Sequence, residues 1–265
     1  MRVAIHIKNK TTEHLSGSEA LEKALRDAGV DIVRNWDGQK VVDIVISIGG
    51  DGTLLSAVHL IGEKEIPVVG INFGHLGFLT TAGRNDIELL VRSLVDRDYS
   101  IEKRTMLDVN VMMKTGYSHY NALNEVYLRR PDSCPLLHTQ VELDGNLVAT
   151  YAADGLIVAT PTGSTAYSLS CGGPILAPES GSLVLTPIAV HTLTQRPVIL
   201  SDGVRMRLKD ENPSITYTIG IDSTLLTVGG DSVVEVSKAT FCTNLIRIGK
   251  QNFFSAIREK LMWGV

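Results

Sequence analysis

Residues 41–48, "VVDIVISI", are apolar and mostly β-branched at nearly every position, the pattern of a strand covered on both faces. No other feature constrains the chain as strongly, because a strand buried on both sides needs partners above and below its sheet. The flanking segments supply them. "VAIHI" (3–7) and "IPVVGIN" (66–72) read as further buried strands. Within residues 18–29, Ala20, Leu21, Ala24, Leu25 and Ala28 recur at helical spacing, with Gly29 as a stop, and residues 53–61 and 85–98 also read as helices. Strands and helices alternating at this spacing predict an α/β unit on a parallel sheet.

The texture changes near Asp98 to Lys103. Beyond it, "TMLDVNVMMK", "HTQVELDGNLVAT", "DGLIVAT" and "GVRMRLK" are separated by Gly, Asp, Asn and Pro turns, which predicts an antiparallel, β-rich domain. Helical spacing returns at residues 252–264 through Phe253, Phe254, Ile257, Leu261 and Met262. The expected fold is therefore α/β plus all-β. An N-terminal Rossmann-like parallel-sheet domain (1–99, joined by 248–265) precedes a β-sandwich-like domain (100–247), and the C-terminal helix packs back on the first.

Composition excludes several classes. With 44% hydrophobic and 20% charged residues, the 265-residue chain is ordinary for a soluble globular protein. A net charge of -4 gives no general attraction for nucleic acid or anionic lipid, and nothing approaches the ~18 apolar residues of a membrane helix. "MRVAIHIKNK" lacks the apolar stretch of a secretory signal. Cys134, Cys171 and Cys242 are odd in number and form no C-x-x-C pair, and the seven histidines show no H-x-H or H-x-x-x-H spacing. The expectation is a cytoplasmic protein with no built-in metal site and no nucleic-acid or membrane partner.

Two stretches carry chemistry. In "ISIGGDGTLLSA" (46–57), Gly49, Gly50, Asp51, Gly52 and Thr53 join a strand end to a helix start. Ligands of open α/β sheets sit at such carboxyl ends, and helix N-termini bind anions. No G-x-x-x-x-G-K-[ST] is present, so this is not a Walker loop. Beside a phosphate, Asp51 needs an intervening Mg²⁺ ion or a proton to accept from an attacking hydroxyl. Alternatively it merely caps the helix. The second stretch, "DGLIVATPTGSTAYSLSCGGPI" (154–175), crowds Thr160, Thr162, Ser164 and Thr165 around Pro161 and Gly163. That density suits a close-fitting polar ligand such as a nucleotide, with Tyr167 as a stacking surface. A hydroxyl-rich surface turn reads the same way.

Together these stretches resemble the NAD kinases. "GGDGT" is similar to the family's phosphate-binding motif, which diacylglycerol, sphingosine and phosphofructokinases share more distantly. Asn124-Glu125 in "YNALNEVYL" looks like the "NE" motif, and residues 154–175 resemble the glycine-threonine block. "GINFGHLGFL" (70–79), "TPIAVHTLTQRP" (186–197) and "FFSAIREKLMWG" resemble the family too. The resemblance implies Mg²⁺-dependent phosphoryl transfer from ATP, another nucleotide or polyphosphate to the 2′-hydroxyl of NAD's adenosine ribose, yielding NADP. It implies that Asp51 orients or deprotonates that hydroxyl, while Gly49, Gly50, Gly52 and Thr53 bind phosphate, with Gly52 also near NAD. Asn124 and Glu125 would hold the adenine and ribose, and Asp154 the nicotinamide end. Thr162, Thr165, Ala166 and Tyr167 would line the adenine pocket, Ser170 and Asp222 would fall on binding positions, and Phe73 to Phe78 would lie against the dinucleotide. Mg²⁺ would travel on the donor phosphates, and a homodimer or homotetramer is implied. One departure stands out: Asp222-Ser223-Thr224 occupies the place of the family's Asp-Gly-Gln turn.

A lipid or sugar kinase sharing the GGDGT turn, or a non-catalytic nucleotide sensor, are the competing readings; the NE motif argues against the first and the intact Asp51 against the second. Bland roles suit the rest. His75 shapes a turn, Asp231 is a turn residue before an edge strand, Trp36 and Trp263 pack, Cys171 fills space, and Arg129-Arg130 is a solvated pair or a phosphate contact.

Overall fold

A computed structural model describes residues 1–8, 12–74, 77–132, 136–192, 194–249 and 252–262. His75, Cys134 and Trp263 lie outside the described residues. In chain order the elements are β1 (Arg2–His6), α1 (Thr12–Asp27), β2 (Asp31–Val33), β3 (Ile44–Ile48), α2 (Asp51–Ile61), β4 (Val68–Ile71) and α3 (Ile87–Asp96). Then follow β5 (Ser100–Met113), β6 (Gly116–Ala122), β7 (Glu125–Arg129), β8 (Leu137–Leu143), β9 (Asn146–Ala153), β10 (Gly155–Ala159) and α4 (Tyr167–Ser170). The last are β11 (Ser182–Ile188), β12 (Val198–Ser201), β13 (Met206–Asp210), β14 (Thr216–Ile221), β15 (Thr224–Gly229), β16 (Val233–Arg247) and α5 (Phe253–Leu261). The chain divides into two compact units, Met1–Arg104 with Cys242–Val265, and Thr105–Phe241.

In the first unit the strands run parallel in the order β2-β1-β3-β4, and Leu245 near the end of β16 pairs parallel with Val68 of β4. Ile44, Ile46 and Ile48 of β3 share one face and join Val3, Ile5, Val69 and Ile71 in a core closed by Leu21 and Leu25 of α1 and Leu90, Val91 and Leu94 of α3. On α2, Leu54, Ala57, Val58 and Ile61 are buried, and its Ser56 hydroxyl meets His6 Nε2 of β1 at 3.2 Å. The strand order reverses direction between β1 and β3, where a crevice opens at the carboxyl ends in folds of this kind. Gly49 and Gly50 follow β3 immediately, so the topology puts the glycine turn at that point.

In the second unit the ladders β10–β11, β10–β7, β11–β12, β13–β16, β13–β8, β14–β15, β14–β7, β5–β6 and β8–β9 are antiparallel. One sheet runs β12-β11-β10-β7-β14-β15, and the other aligns β16, β13, β8 and β9, with β5 pairing both β16 and β6. Alternate residues of both sheets meet in one core: Leu107, Val109, Val126, Leu128, Leu156, Val158, Tyr217, Ile219, Val234 and Val236 are among its buried members. On β10 the alternate residues, Ile157 and Ala159, are buried too, beneath Leu176, Tyr167 and Cys171. Residues 160–177 therefore cover the far face of that sheet, which is why "GLIVA" reads as a continuous apolar run inside an antiparallel sheet.

The structure shifts several expected boundaries. Strand β3 begins only at Ile44, for Val41 is 81% exposed and Asp43 is tied to the backbone of Arg2 through both its N–H and its carboxylate. Helix α1 starts at Thr12, six residues before its apolar spacing becomes visible, because Leu15 faces solvent. On α5 only Ile257 is buried, while Phe254 and Met262 of the expected apolar stripe are exposed. The strand after Asp231 is not an edge: β16 has neighbours on both sides.

Candidate active site

The turn after β3 puts Gly50 at the N-cap of α2, with Asp51 as the first helical residue and no side chain capping the end. In this first turn the Thr53 N–H bonds the Gly50 carbonyl at 2.8 Å, which leaves the amides of Asp51 and Gly52 without an intrahelical acceptor and suited to an anion. Asp51 does not serve its own helix. Its Oδ2 accepts the N–H of Phe78 at 2.9 Å and its Oδ1 that of Leu79 at 3.1 Å. The helix-cap alternative is thereby set aside. Gly77 makes the approach possible, since a Cβ there would stand 1.8 Å from Asp51 Oδ1. Two neutral amides leave further lone pairs on the carboxylate for a proton or a hydroxyl.

The strap that receives Asp51 is itself held. Arg247 Nη2 donates to the Phe78 carbonyl at 3.2 Å, and its Nε donates to Glu102 at 2.9 Å. Glu102 also pairs with Arg104, whose side chain is 3% exposed. The two guanidiniums hold the Glu102 carboxyl below the usual range against the opposing effect of burial, which is the largest single influence. Sequence reasoning missed Gly77, Arg247 and Glu102. "GHLGF" carried a signal in its paired glycines, but nothing local ties residues 102 and 247 to 51. Phe73 departs from the expected dinucleotide wall. Its ring is buried in the core against Gly17, with the Arg84 guanidinium 5.8 Å from its centroid.

In the second unit, residues 123–125 turn the chain from β6 into β7. Thr160 clasps this turn from one side: its N–H donates to the Asn124 carbonyl at 2.9 Å and its hydroxyl to the Leu123 carbonyl at 2.6 Å. Gly163 approaches so closely that a Cβ would stand 2.1 Å from the Asn124 oxygen. The hydroxyls of residues 160–168 are spent largely inside the segment. Ser164 donates to the Pro161 carbonyl and accepts the Leu176 N–H, Thr165 donates to the Thr162 carbonyl, and Ser168 bonds Thr186. These bonds hold the segment in its own shape. Of the expected pocket residues, Thr162 is buried, Thr165, Ala166 and Tyr167 are half-buried, and Ser170 is exposed.

Glu125 is buried, at 7% exposure. It receives the backbone N–H of Tyr167, and burial first, then the charge of Asp222, push its carboxyl up to about 8. Its Oε2 is buried with no hydrogen-bond partner among the described residues. The Tyr167 ring meets Tyr127 edge-on at 5.2 Å, and its hydroxyl bonds Arg129. Arg130 is not a solvated cation: its Nε donates to Asp154 at 2.6 Å and its Nη1 to the carbonyls of Pro131 and Asp132. The Asp154 carboxylate, expected at a nicotinamide, carries this ion pair. Asp222, expected as a ligand contact, has its oxygens on the backbone N–H groups of Leu123, Asn124 and Glu125. Cys171 packs against the apolar layer over β10, and burial pushes its thiol up.

Comparison with known proteins fits both halves. Residues 5–99 match the ATP-NAD kinase N-terminal domain and residues 123–248 the ATP-NAD kinase C-terminal domain. The NAD kinase of Flavobacterium psychrophilum is 40% identical over 230 residues, covering 86% of this chain and 78% of the relative. That of Porphyromonas gingivalis is 40% identical over 223 residues, covering 84% and 77%. Among solved structures, yeast NADH kinase complexed with NADH shares the fold with a TM-score of 0.91 at 23% identity, over 100% of this chain and 88% of that one. An NAD kinase from Archaeoglobus fulgidus in complex with ATP gives 0.81 at 25% identity, over 99% of each chain. With both domains matched in order and relatives 40% identical along most of its length, the chain belongs to the NAD kinase family.

Proposed function

We propose that the chain transfers the terminal phosphoryl group of ATP to the 2′-hydroxyl of NAD's adenosine ribose. The observation that carries this reading is Asp51: a carboxylate at an uncapped helix start, aimed by two backbone amides and close enough to the Arg247 guanidinium for their charges to interact. A ribose hydroxyl is a weak nucleophile, and a carboxylate within reach orients it and takes its proton as the phosphoryl group arrives. The 49–53 turn receives the donor phosphates through the amides its own bonds leave open, since the Gly49 N–H is held by the Ile71 carbonyl and the Thr53 N–H by that of Gly50. The NE turn holds the adenosine through Asn124 and Glu125, together with Thr162, Thr165, Ala166, Tyr167 and Ser170. On this assignment the first unit binds donor phosphates and the second NAD.

The donor set suits a cation delivered by the substrate. Asp51 is the carboxylate at the turn, and no group of three His, Cys, Asp or Glu side chains gathers among the described residues. Mg²⁺ on the ATP phosphates and water, with Asp51 as a protein oxygen, would neutralise charge that phosphoryl transfer develops.

The family reading also supports a cytoplasmic homodimer or homotetramer. Val198 and Ile199 on β12 and Leu225 on β15, the outer strands of one sheet, are exposed and fit a subunit contact; light scattering on the purified chain reads the assembly. No helix is long and apolar enough to cross a membrane among the described residues. Incubation with ATP, Mg²⁺ and NAD, read by an NADP-specific dehydrogenase, tests the activity. NADP is the expected product, and no NADP from ATP, other nucleotides or polyphosphate would overturn the reading.

A further inference from the structure

Asp222 opens the two-residue turn between β14 and β15, where Ile221 pairs with Thr224. Its φ is +46°, in the left-handed region that side chains enter at a cost. A glycine would meet that backbone requirement without strain, so the carboxylate needs a reason. Oδ2 accepts the N–H of Leu123 at 2.8 Å, and Oδ1 accepts those of Asn124 at 2.9 Å and Glu125 at 3.1 Å. The N–H of Asp222 returns a bond to the Glu125 carbonyl at 3.0 Å. Three consecutive amides converging on one anion form a nest, and bonds to an ionised acceptor are stronger than neutral ones. The amide side of the 123–125 turn is thus fixed from a residue about a hundred positions away, while Thr160 fixes the carbonyl side.

We propose that Asp222 is a positioning residue for adenosine recognition: its carboxylate sets the NE turn, so that Asn124 and Glu125 reach NAD while Asp222 does not touch it. This rests on the NAD kinase reading above. The altered neighbours, Ser223 and Thr224, leave the clamp intact because it uses only the Asp222 carboxylate and backbone. The arrangement has an electrostatic corollary. Among the described groups, the charge facing Glu125 is Asp222; from α4 it meets only the Tyr167 N–H, and the Tyr167 hydroxyl is turned to Arg129. Asp222 therefore helps keep Glu125 a neutral acid, and removing its charge lowers the Glu125 titration without bringing it into the ordinary range, since burial is the larger cause.

Two variants of the full chain separate the clamp from a generic turn. In Asp222→Asn the positive φ is tolerated, but the charge is lost and one of the two acceptor oxygens becomes an amide donor facing a backbone donor. In Asp222→Gly the backbone strain is relieved and the acceptor is gone. Both are expected to raise the KM for NAD by about tenfold or more, equivalent to about 1.4 kcal/mol, with kcat changed by less than about threefold. Both should shift the Glu125 carboxyl titration, followed by ¹³C NMR, to lower pH, and speed amide exchange at residues 123–125. A turn that is merely structural predicts an unharmed glycine variant. A KM within about twofold of wild type and an unmoved Glu125 titration in either folded variant overturn the proposal. If neither variant folds, wild-type exchange decides: amides at 123–125 as slow as those of β7 support the clamp, and fast exchange refutes it. A wild-type chain that makes no NADP refutes the kinase reading instead, and the titration and exchange still read the clamp.

Discussion

Gly77→Ala probes what the Asp51 carboxylate contributes, because the three atoms nearest the alanine methyl all belong to that carboxylate. Its Cβ would lie 1.8 Å from Asp51 Oδ1, 2.4 Å from Cγ and 2.7 Å from Oδ2. Restoring an ordinary contact requires the carboxylate to withdraw by roughly 1.5 Å. Gly77 itself lies outside the left-handed region, so alanine adds no backbone strain there. Withdrawal breaks the bonds to the Phe78 and Leu79 amides. Bonds to charged acceptors are worth about 1.5–3 kcal/mol each, and water near the half-exposed carboxylate replaces part of that, leaving a net loss of about 1–3 kcal/mol. Misplacing a reacting group by 1 Å costs on the order of 100-fold in rate. The expected result is a kcat about 100-fold below wild type in the NADP-forming assay, with a KM for NAD within about threefold because Asn124 and Glu125, proposed to hold NAD, are left unchanged. A kcat within about threefold of wild type in the folded variant would refute the role given to the Asp51 geometry.

Other perturbations probe neighbouring links. Asp51→Asn keeps the size of the side chain and loses the proton acceptor, so turnover falls by about 10²–10⁴-fold while calorimetry still detects NAD binding; an unchanged kcat removes Asp51 from the chemistry. Arg247→Met takes one buried cation from Glu102 and the donor from the Phe78 carbonyl. Arg104 still partners Glu102, so the loss sits near the lower end for a buried pair, about 3 kcal/mol, and calorimetry should show Tm falling by about 6–12 °C; a shift below about 2 °C contradicts the buried triad. Glu125→Gln changes the pH dependence of stability. A carboxyl raised to about 8 binds a proton in the folded state that the unfolded chain has already released, so its stabilisation is complete at low pH and is lost as pH rises toward 8. The slope reaches about 1.4 kcal/mol per pH unit, and urea unfolding at pH 5, 6.5 and 8 should find the variant gaining on wild type as pH rises. Parallel curves would contradict the burial of a neutral Glu125.

Local patterns revealed the scaffold but few of the contacts that shape the candidate site. The β-branched run ending at Ile48, followed by GGDG, marks a buried strand feeding a helix because pleat, burial and turn chemistry are all local properties. The same logic overreached at Val41, where an apolar residue lies outside the strand, and at Phe73, whose aromatic ring serves the core. Hydroxyl density between Thr160 and Thr165 suggested a ligand surface, whereas Thr160 and Ser164 turn inward to backbone groups. Contacts of long sequence separation were not readable at all. Asp51 with Phe78, Glu102 with Arg247, and Asp222 with Asn124 each join residues whose neighbours in sequence give no sign of the partner.

The most direct test compares NAD with its analogue lacking the 2′-hydroxyl on the adenosine ribose, each incubated with ATP, Mg²⁺ and purified protein and followed by ³¹P NMR. Phosphoryl transfer to the 2′-oxygen predicts a new monoester signal and ADP from NAD, and neither a monoester nor added ATP consumption from the deoxy analogue. A phosphorylated product from the analogue, or none from NAD, would contradict it.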